Sequence, residues 1–540
     1  MRMHAGTVCV ALAVLASAGR AAPPGQADFD GIFARWSSAS APGCAVGVED
    51  RGRAVFRAYG MADLEHDAAN TPATIFEAGS VSKQFTAAAI LLLAQDGRLR
   101  LDDDIRKYLP EMPDYGAVIT IDHLLTHSSG LRDWGFLTEI EGWPRTTRAM
   151  TQSDILDMIA RQKRLNHRPG AEYSYTNSGY SLLAIIVERV SGRSFADFSR
   201  DAIFDRLGMK STRWRSDFRQ IVKGRAIAYA QSPTGYVQRM PFEDAIGAGG
   251  LLTTVGDLLI WNRALTAHGL GSFVAAEFER RGTLNDGRRI RYARGLRIEN
   301  RGGMPEISHA GATGAYRAWL GRFPDAGLSI AILCNAGDVG GSAVGLGYAV
   351  ADRFLPAGKA PVAKPVPVDL SRYRGLFAHQ GTRLPLAFAM DGTALLAGNR
   401  AVLRPIGPDR FLMGDDLLIF DGPDRLRVED ADGNIAFYGR VSAVASVEAQ
   451  PYLGRYASAE LGAAYSVERR DGGIALRLER RPDIMVPLRP AYRDTFLYDT
   501  RFGPNTAIVR FIRDAAGKIA AMDVGWNDRV RDVRFDRTGP

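Results

Sequence analysis

Residues 356–368 (PAGKAPVAKPVPV) hold four prolines and separate two stretches of chain with different hydrophobic periods. Proline fixes φ and lacks an N–H, so this segment reads as a stiff linker. Beyond it helical spacing stops. Short alternating segments follow, punctuated by Asp391-Gly392, Asp421-Gly422-Pro423, Asp432-Gly433-Asn434, Asp471-Gly472-Gly473 and Ala516-Gly517. Such spacing predicts small all-β sandwiches or barrels. Tyr373-Arg374-Gly375-Leu376-Phe377 and Tyr452-Leu453-Gly454-Arg455-Tyr456 share a Tyr-x-Gly-x-aromatic opening. Two β units are expected, at 369–446 and 447–540, arising by duplication or matching by chance over a short stretch.

Before the linker, helical and strand patterns alternate. Residues 43–60 read as two strands joined by a polar turn at Glu49-Asp50-Arg51-Gly52. Phe85, Ala88, Ala89 and Leu92 recur at helical spacing within 80–96, and Gly97 is the stop signal. Residues 150–207 are mainly helical in pattern, with a loop at 166–178. Strands are expected at Ala315–Phe323 and Leu328–Asn335, then a helix at 342–354. Strands at both ends and helices between them predict one α/β (α+β) domain over 27–355.

Residues 1–22 read as a signal peptide, with an uncleaved anchor as the alternative. Arg2 and His4 precede an apolar run, Ala5–Ala18, and cleavage is expected near Ala18 or Ala21. Export to the periplasm or medium would remove Cys9 and leave Cys44 and Cys334. Three cysteines exclude a disulfide framework and a four-thiolate zinc site. No later segment is long and apolar enough to span a membrane. The net charge of +8 invites nucleic acid, but no reader motif or basic-aromatic platform accompanies it.

The chemistry concentrates around Phe76-Glu77-Ala78-Gly79-Ser80-Val81-Ser82-Lys83. Lys83 is the only lysine in residues 1–100. Residues i and i+3 of a helix share a face, so its ammonium can reach the Ser80 hydroxyl. A serine needs such a neighbour to become nucleophilic, and a helix N-terminus stabilises nearby negative charge. Alone, Ser-x-x-Lys is a weak signal. Two further segments strengthen it: Tyr175-Thr176-Asn177 in a loop before an apolar helix, and His309-Ala310-Gly311 opening a strand.

With these three motifs in this order, the chain resembles the serine β-lactamase and penicillin-binding-protein superfamily. Its β-lactamase-related branch includes class C-type lactamases, carboxypeptidases, D-aminopeptidases and esterases. The stretches LLTHSSGL (124–131), PGAEYSYTNSGY (169–180) and GAGGLLTTVGDLLIW (247–261) are similar to that branch too. The resemblance covers about 27–355 and implies an antiparallel sheet flanked by helices. It implies Ser80 as acylated nucleophile, Lys83 as proton relay and Tyr175 as partner base. Asn177, His309 and Gly311 would bind substrate, and the Ser80 and Ala312 N–H groups would form the oxyanion hole. It implies no metal or cofactor. Who holds the proton at rest stays open.

The third motif departs from the lactamase pattern, which has Lys-Thr-Gly. His309 is mostly neutral near pH 7, so a preference for a terminal carboxylate is less expected. Weight moves to an amidase, aminopeptidase or esterase acting on small peptides, amides or esters, including peptidoglycan-derived ones. A hydrolase domain followed by two β units is similar to the D-aminopeptidase layout, in which a barrel loop reaches the active site. A carboxypeptidase or lactamase-type enzyme, or a penicillin-binding-like sensor without turnover, are the alternatives. Oligomeric state is not legible.

Other signals are read as structural. His123 and His127 lie four apart, but no Glu follows His123 as a zinc helix requires. The glycines at 337–347 have the wrong spacing for a dinucleotide loop and read as packing. Arg280, Arg281, Arg288, Arg289, Arg291 and Arg294 read as a solvated face, with anionic polymers as the alternative. In the superfamily sheet the strands of Cys44 and Cys334 are antiparallel neighbours, which leaves a disulfide or two buried thiols.

Overall fold

The computed structural model describes residues 26–143, 148–337, 343–356, 369–398, 401–499 and 506–539. The expected signal peptide and, apart from Pro356, the linker lie outside them.

The first unit is built on a six-stranded antiparallel sheet. Its order is Arg297–Arg301, Met304–Thr313, Tyr316–Phe323, Leu328–Cys334, Cys44–Asp50 and Arg53–Tyr59. Both faces are covered, so its central strands are apolar at nearly every position. Val46, Val48, Ile330 and Ile332 pack towards the helices Gln26–Phe33 and Ala343–Ala351. Ala45, Ala331 and Leu333 face the larger core, which holds the helices Ser82–Gln95, Asn177–Ser191 and Val255–Thr266. This alternation is the two-residue period of a strand. Gly347 lies against Trp319, where a Cβ would come within 2.2 Å of the indole, so packing explains that glycine.

The first hairpin turns at Arg51 and Gly52, both at positive φ (50° and 82°). That backbone matches the tight turns whose twist suits a two-residue hairpin. Cys44 and Cys334 are register partners on neighbouring strands and form a disulfide, which decides between the two sequence alternatives.

Beyond residue 369 the chain is all β. The second of the two β units is a closed barrel of eight strands between Gly454 and Gly539, with the first strand paired to the last. The first has nine strands in the order of a meander, again with the first, Gly375–His379, paired to the last, Ile435–Val441. Its two edge strands, Ala401–Val402 and Arg404–Gly407, are separated in sequence by Leu403 alone. They are two halves of one broken strand, each paired to a different neighbour, so both units share one strand order. Each opens with a short 3-10 turn containing the motif tyrosine, followed by Gly375 or Gly454 at positive φ (142° and 137°). Every turn read from the sequence joins two consecutive strands.

The barrels dock on the first unit through specific pairs. Arg132 and Glu460, both almost fully buried, form a salt bridge at 3.0 Å. Arg480 reaches Glu141, and the Tyr465 hydroxyl donates to the Ile140 carbonyl. From the other barrel, Asn434 makes two hydrogen bonds with the Tyr173 backbone (2.8 and 3.0 Å). The arginine-rich segment is not simply a solvated face. Arg288 donates to the Gly433 carbonyl and Arg291 lies 3.5 Å from Asp415, so part of it is a seam with the first barrel. Arg294 is buried against Asp122.

Candidate active site

The short strand Phe76–Glu77 pairs with Leu251–Thr253 and leads directly to Ser80. A buried ion pair, Glu77 with Arg215 at 2.8 Å, anchors it. The chain then makes a 3-10 turn at Gly79–Val81, and the α-helix begins at Ser82 rather than Ser80. Gly79 is at φ 53°, and a Cβ there would lie 2.6 Å from the Ala312 nitrogen. A Cβ on Gly311 would lie 2.0 Å from the Ala78 carbonyl oxygen. Both glycines are therefore required by the close approach of the nucleophile turn to the strand Met304–Thr313. This contact brings the Ser80 and Ala312 segments to one cleft wall.

Lys83 is fully buried on the first turn of its helix. Its Nζ lies 3.1 Å from Ser80 Oγ, 2.9 Å from Asn177 Oδ1 and 2.8 Å from the Ala248 carbonyl oxygen. Three acceptors match the three protons of an ammonium, so removing one leaves an acceptor without its donor. Asn177 is the first residue of its helix, capped by Thr176, whose hydroxyl accepts from Ser178 N–H. Tyr175 stands just before, hydrogen-bonded to Ser80. Burial pushes its hydroxyl well above the ordinary phenol range, while the Ser80 bond and Arg529 oppose that. Lys83 Nζ also sits 4.8 Å from the Tyr175 ring centre.

His309 lines the same cleft but is nearly buried. Its Nδ1 lies 2.6 Å from the Ala310 carbonyl oxygen and its Nε2 2.9 Å from the Tyr292 hydroxyl. A carbonyl only accepts, so Nδ1 carries the proton and Nε2 accepts from Tyr292. Burial, then the nearby Lys83 charge, pushes the His309 pKa down to about 3. The ring is neutral at physiological pH, as the sequence implied.

The structure thus gathers Ser80, Lys83, Tyr175, Asn177, His309, Gly311 and Ala312 around one cleft of about 520 Å³. It also adds residues that the sequence reading did not assign. His127 Nδ1 accepts from the Thr176 N–H, and its ring lies 4.2 Å from that of Tyr175. His123 Nδ1 accepts from the Thr120 N–H instead, so the two imidazoles serve separate local bonds. Asp133 accepts from the Asn177 N–H at 2.6 Å. Arg529, on a hairpin of the last barrel, places its guanidinium 4.8 Å over Tyr175. Among the described residues Arg529 has no carboxylate within ion-pair distance. The run LLTHSSGL marked the neighbourhood of His127 and Asp133, but no local signal marks Arg529.

A partly exposed serine and tyrosine around a buried lysine at one cleft, on a helix-flanked antiparallel sheet, define a serine hydrolase. The β-lactamase family model matches residues 29–355, and the chain belongs to that family. It is 32% identical over 304 residues to a penicillin-binding protein of Bacillus subtilis, covering 51% of this chain and 64% of that protein. It is 28% identical over 481 residues to a D-aminopeptidase of Cereibacter sphaeroides, covering 85% of this chain and 88% of that one. The structure of a D-amino acid amidase from Ochrobactrum anthropi SV3 superposes with a TM-score of 0.53 at 23% identity, over 61% of this chain and 96% of that one. Among the described residues no helix is long and apolar enough to cross a membrane.

Proposed function

We propose that the protein is an exported hydrolase working through a Ser80 acyl-enzyme on the amide bonds of D-amino-acid peptides or amides. The carrying observation is Lys83 Nζ set between Ser80 Oγ and Asn177 Oδ1. Because Lys83 spends its protons on three acceptors, the Tyr175 phenolate, a minor form because burial opposes it, is the base placed to take the Ser80 proton as Oγ attacks. The Ser80 hydrogen bond and Arg529 offset part of the burial that disfavours this phenolate, and Lys83 Nζ lies 4.8 Å from its ring centre. The acyl-enzyme forms as the C–N bond breaks, Tyr175 returns the proton to the leaving amine, and water then releases the acyl group. The Ser80 and Ala312 N–H groups hold the developing oxyanion.

Likeness to D-aminopeptidases across both barrels supports the D-amino-acid substrate class, and the neutral His309 supports an amide rather than a free terminal carboxylate. The apolar run after Arg2 and His4 supports export, and so does the disulfide, since such bonds persist in oxidising compartments. The test pairs a fluorophosphonate probe with hydrolysis of matched D- and L-aminoacyl amides. Labelling at Ser80, lost in Ser80→Ala, with D-amides preferred, is the expected result. Labelling that survives Ser80→Ala would end the reading.

Arg529 favours a second reading, a carboxypeptidase-type preference, because it brings to the cleft a cation that His309 does not provide. Comparing a D-Ala-D-Ala peptide with its C-terminal amide separates the two.

A further inference from the structure

Asp133 is buried, and each of its carboxylate oxygens accepts a hydrogen bond. One carboxylate oxygen caps the helix Trp134–Glu141 by accepting from the Gly135 N–H at 2.9 Å. The other accepts from the Asn177 N–H at 2.6 Å, at the start of a different helix. The Asp133 backbone N–H donates to the Arg529 carbonyl of the last barrel at 3.0 Å. One residue therefore touches the barrel on one side and the lysine-binding asparagine on the other. The Ser178 hydroxyl adds a parallel tie, donating to the Arg132 carbonyl at 2.6 Å and accepting from the Trp134 N–H at 2.9 Å.

The hairpin that supplies Arg529 is itself fastened. Asn166 Nδ2 donates to the Arg529 carbonyl at 2.8 Å, and Asn166 Oδ1 accepts from the Arg531 N–H at 2.8 Å. Ser174 Oγ, one residue before Tyr175, donates to the Asp528 carbonyl at 3.0 Å. The Arg529 carbonyl thus receives from both Asp133 and Asn166. Freeing the hairpin removes a partner from Asp133 and support from the Tyr175 loop together.

We propose that Asp133 is a positioning residue through which the barrel hairpin Asn527–Val530 sets Asn177, and hence Lys83, against the nucleophile. The chain of contacts runs from Arg529 C=O to Asp133 N–H, from the Asp133 carboxylate to Asn177 N–H, and from Asn177 Oδ1 to Lys83 Nζ. In this arrangement the last barrel is a working part of the catalytic site. A carboxylate suits the position because it only accepts and faces two donors at once. Asn turns an N–H₂ towards one of them, and Ser reaches only the nearer one.

The inference rests on the proposed Ser80 chemistry, and its test is the rate of Ser80 labelling by a fluorophosphonate in the full chain. Asp133→Ser keeps a cap for the helix Trp134–Glu141 and loses the bond to Asn177. Losing a bond to a charged acceptor predicts a fall in the maximal labelling rate of about tenfold or more, with probe affinity within about twofold. Asn166→Ala leaves Asp133 and both helix starts intact and should lower the same rate. Because the hairpin is proposed to reach Asn177 through the Asp133 carboxylate, the double variant should lose less than the product of the single losses. Wild-type labelling rates in both single variants, or strictly multiplicative losses, overturn the inference. Should Asp133→Ser fail to fold, the Asn166→Ala rate alone decides. Failure of the underlying chemistry looks different, since Ser80→Ala would then still be labelled.

Discussion

The guanidinium of Arg529 lies 4.8 Å from the ring centre of Tyr175, although the two residues belong to different units of the chain. Arg529 is among the groups that hold the Tyr175 hydroxyl down against its burial. Arg529→Met should therefore push that hydroxyl higher still. The limb of the labelling-rate profile that reports loss of its proton should move to higher pH. Rates of Ser80 labelling between pH 6 and 10 measure this, and a superimposable profile would refute the coupling.

The buried imidazoles predict an acid weakness. The pKa of His309 is pushed down to about 3, and burial together with Lys83 holds His127 well below its ordinary value. Between those folded values and about 6.5 the unfolded chain binds protons that the folded chain does not. Stability therefore falls as pH drops through that window, by about 1.4 kcal/mol per pH unit per imidazole at most. Thermal melts from pH 7 to 4.5 should show a steepening loss. His309→Gln should flatten it, and a melting temperature independent of pH over that range contradicts the assignment.

Arg132 and Glu460 tie the last barrel to the first unit from inside their seam. Arg132 also donates to the Arg531 and Asp532 carbonyls (3.0 and 2.9 Å). Glu460→Ala leaves a buried guanidinium short of its counter-charge, at a cost of about 3–5 kcal/mol. Limited proteolysis should then release the barrel region sooner than from wild type. Equal digestion rates would show that the seam does not depend on this pair.

The disulfide closes a loop of 290 residues between Cys44 and Cys334. Restricting the unfolded chain in this way contributes about 2–5 kcal/mol to stability. Thiol titration under denaturing conditions should find no free Cys44 or Cys334, and reduction should lower the melting temperature. Unchanged melting after complete reduction would rule out a stabilising role.

The motifs that are compact in sequence were legible in advance. Ser80 and Lys83 are three residues apart where a 3-10 turn runs into a helix, Tyr175 and Asn177 flank a helix start, and His309 to Ala312 lie along one strand. Each is a local pattern, so its geometry follows from secondary structure alone. Asp133 was not legible, because its value comes from two backbone donors brought to it by separate segments. The arginine-rich stretch looked solvated because two of the groups facing it, the Asp415 carboxylate and the Gly433 carbonyl, lie beyond the proline-rich linker. Alternation gave the β character of the second half, but not the break at Leu403 that splits one strand of the first barrel.

The hairpin carrying Arg529 has a consequence for timing. Ribosomes deliver Ser80, Lys83 and Tyr175 long before they deliver residues 527–530. A chain at that earlier stage holds the nucleophile and its lysine but neither the carbonyl that Asp133 bonds nor the cation above Tyr175. On the proposed role of Asp133, the enzyme reaches its full rate only once its last barrel has folded.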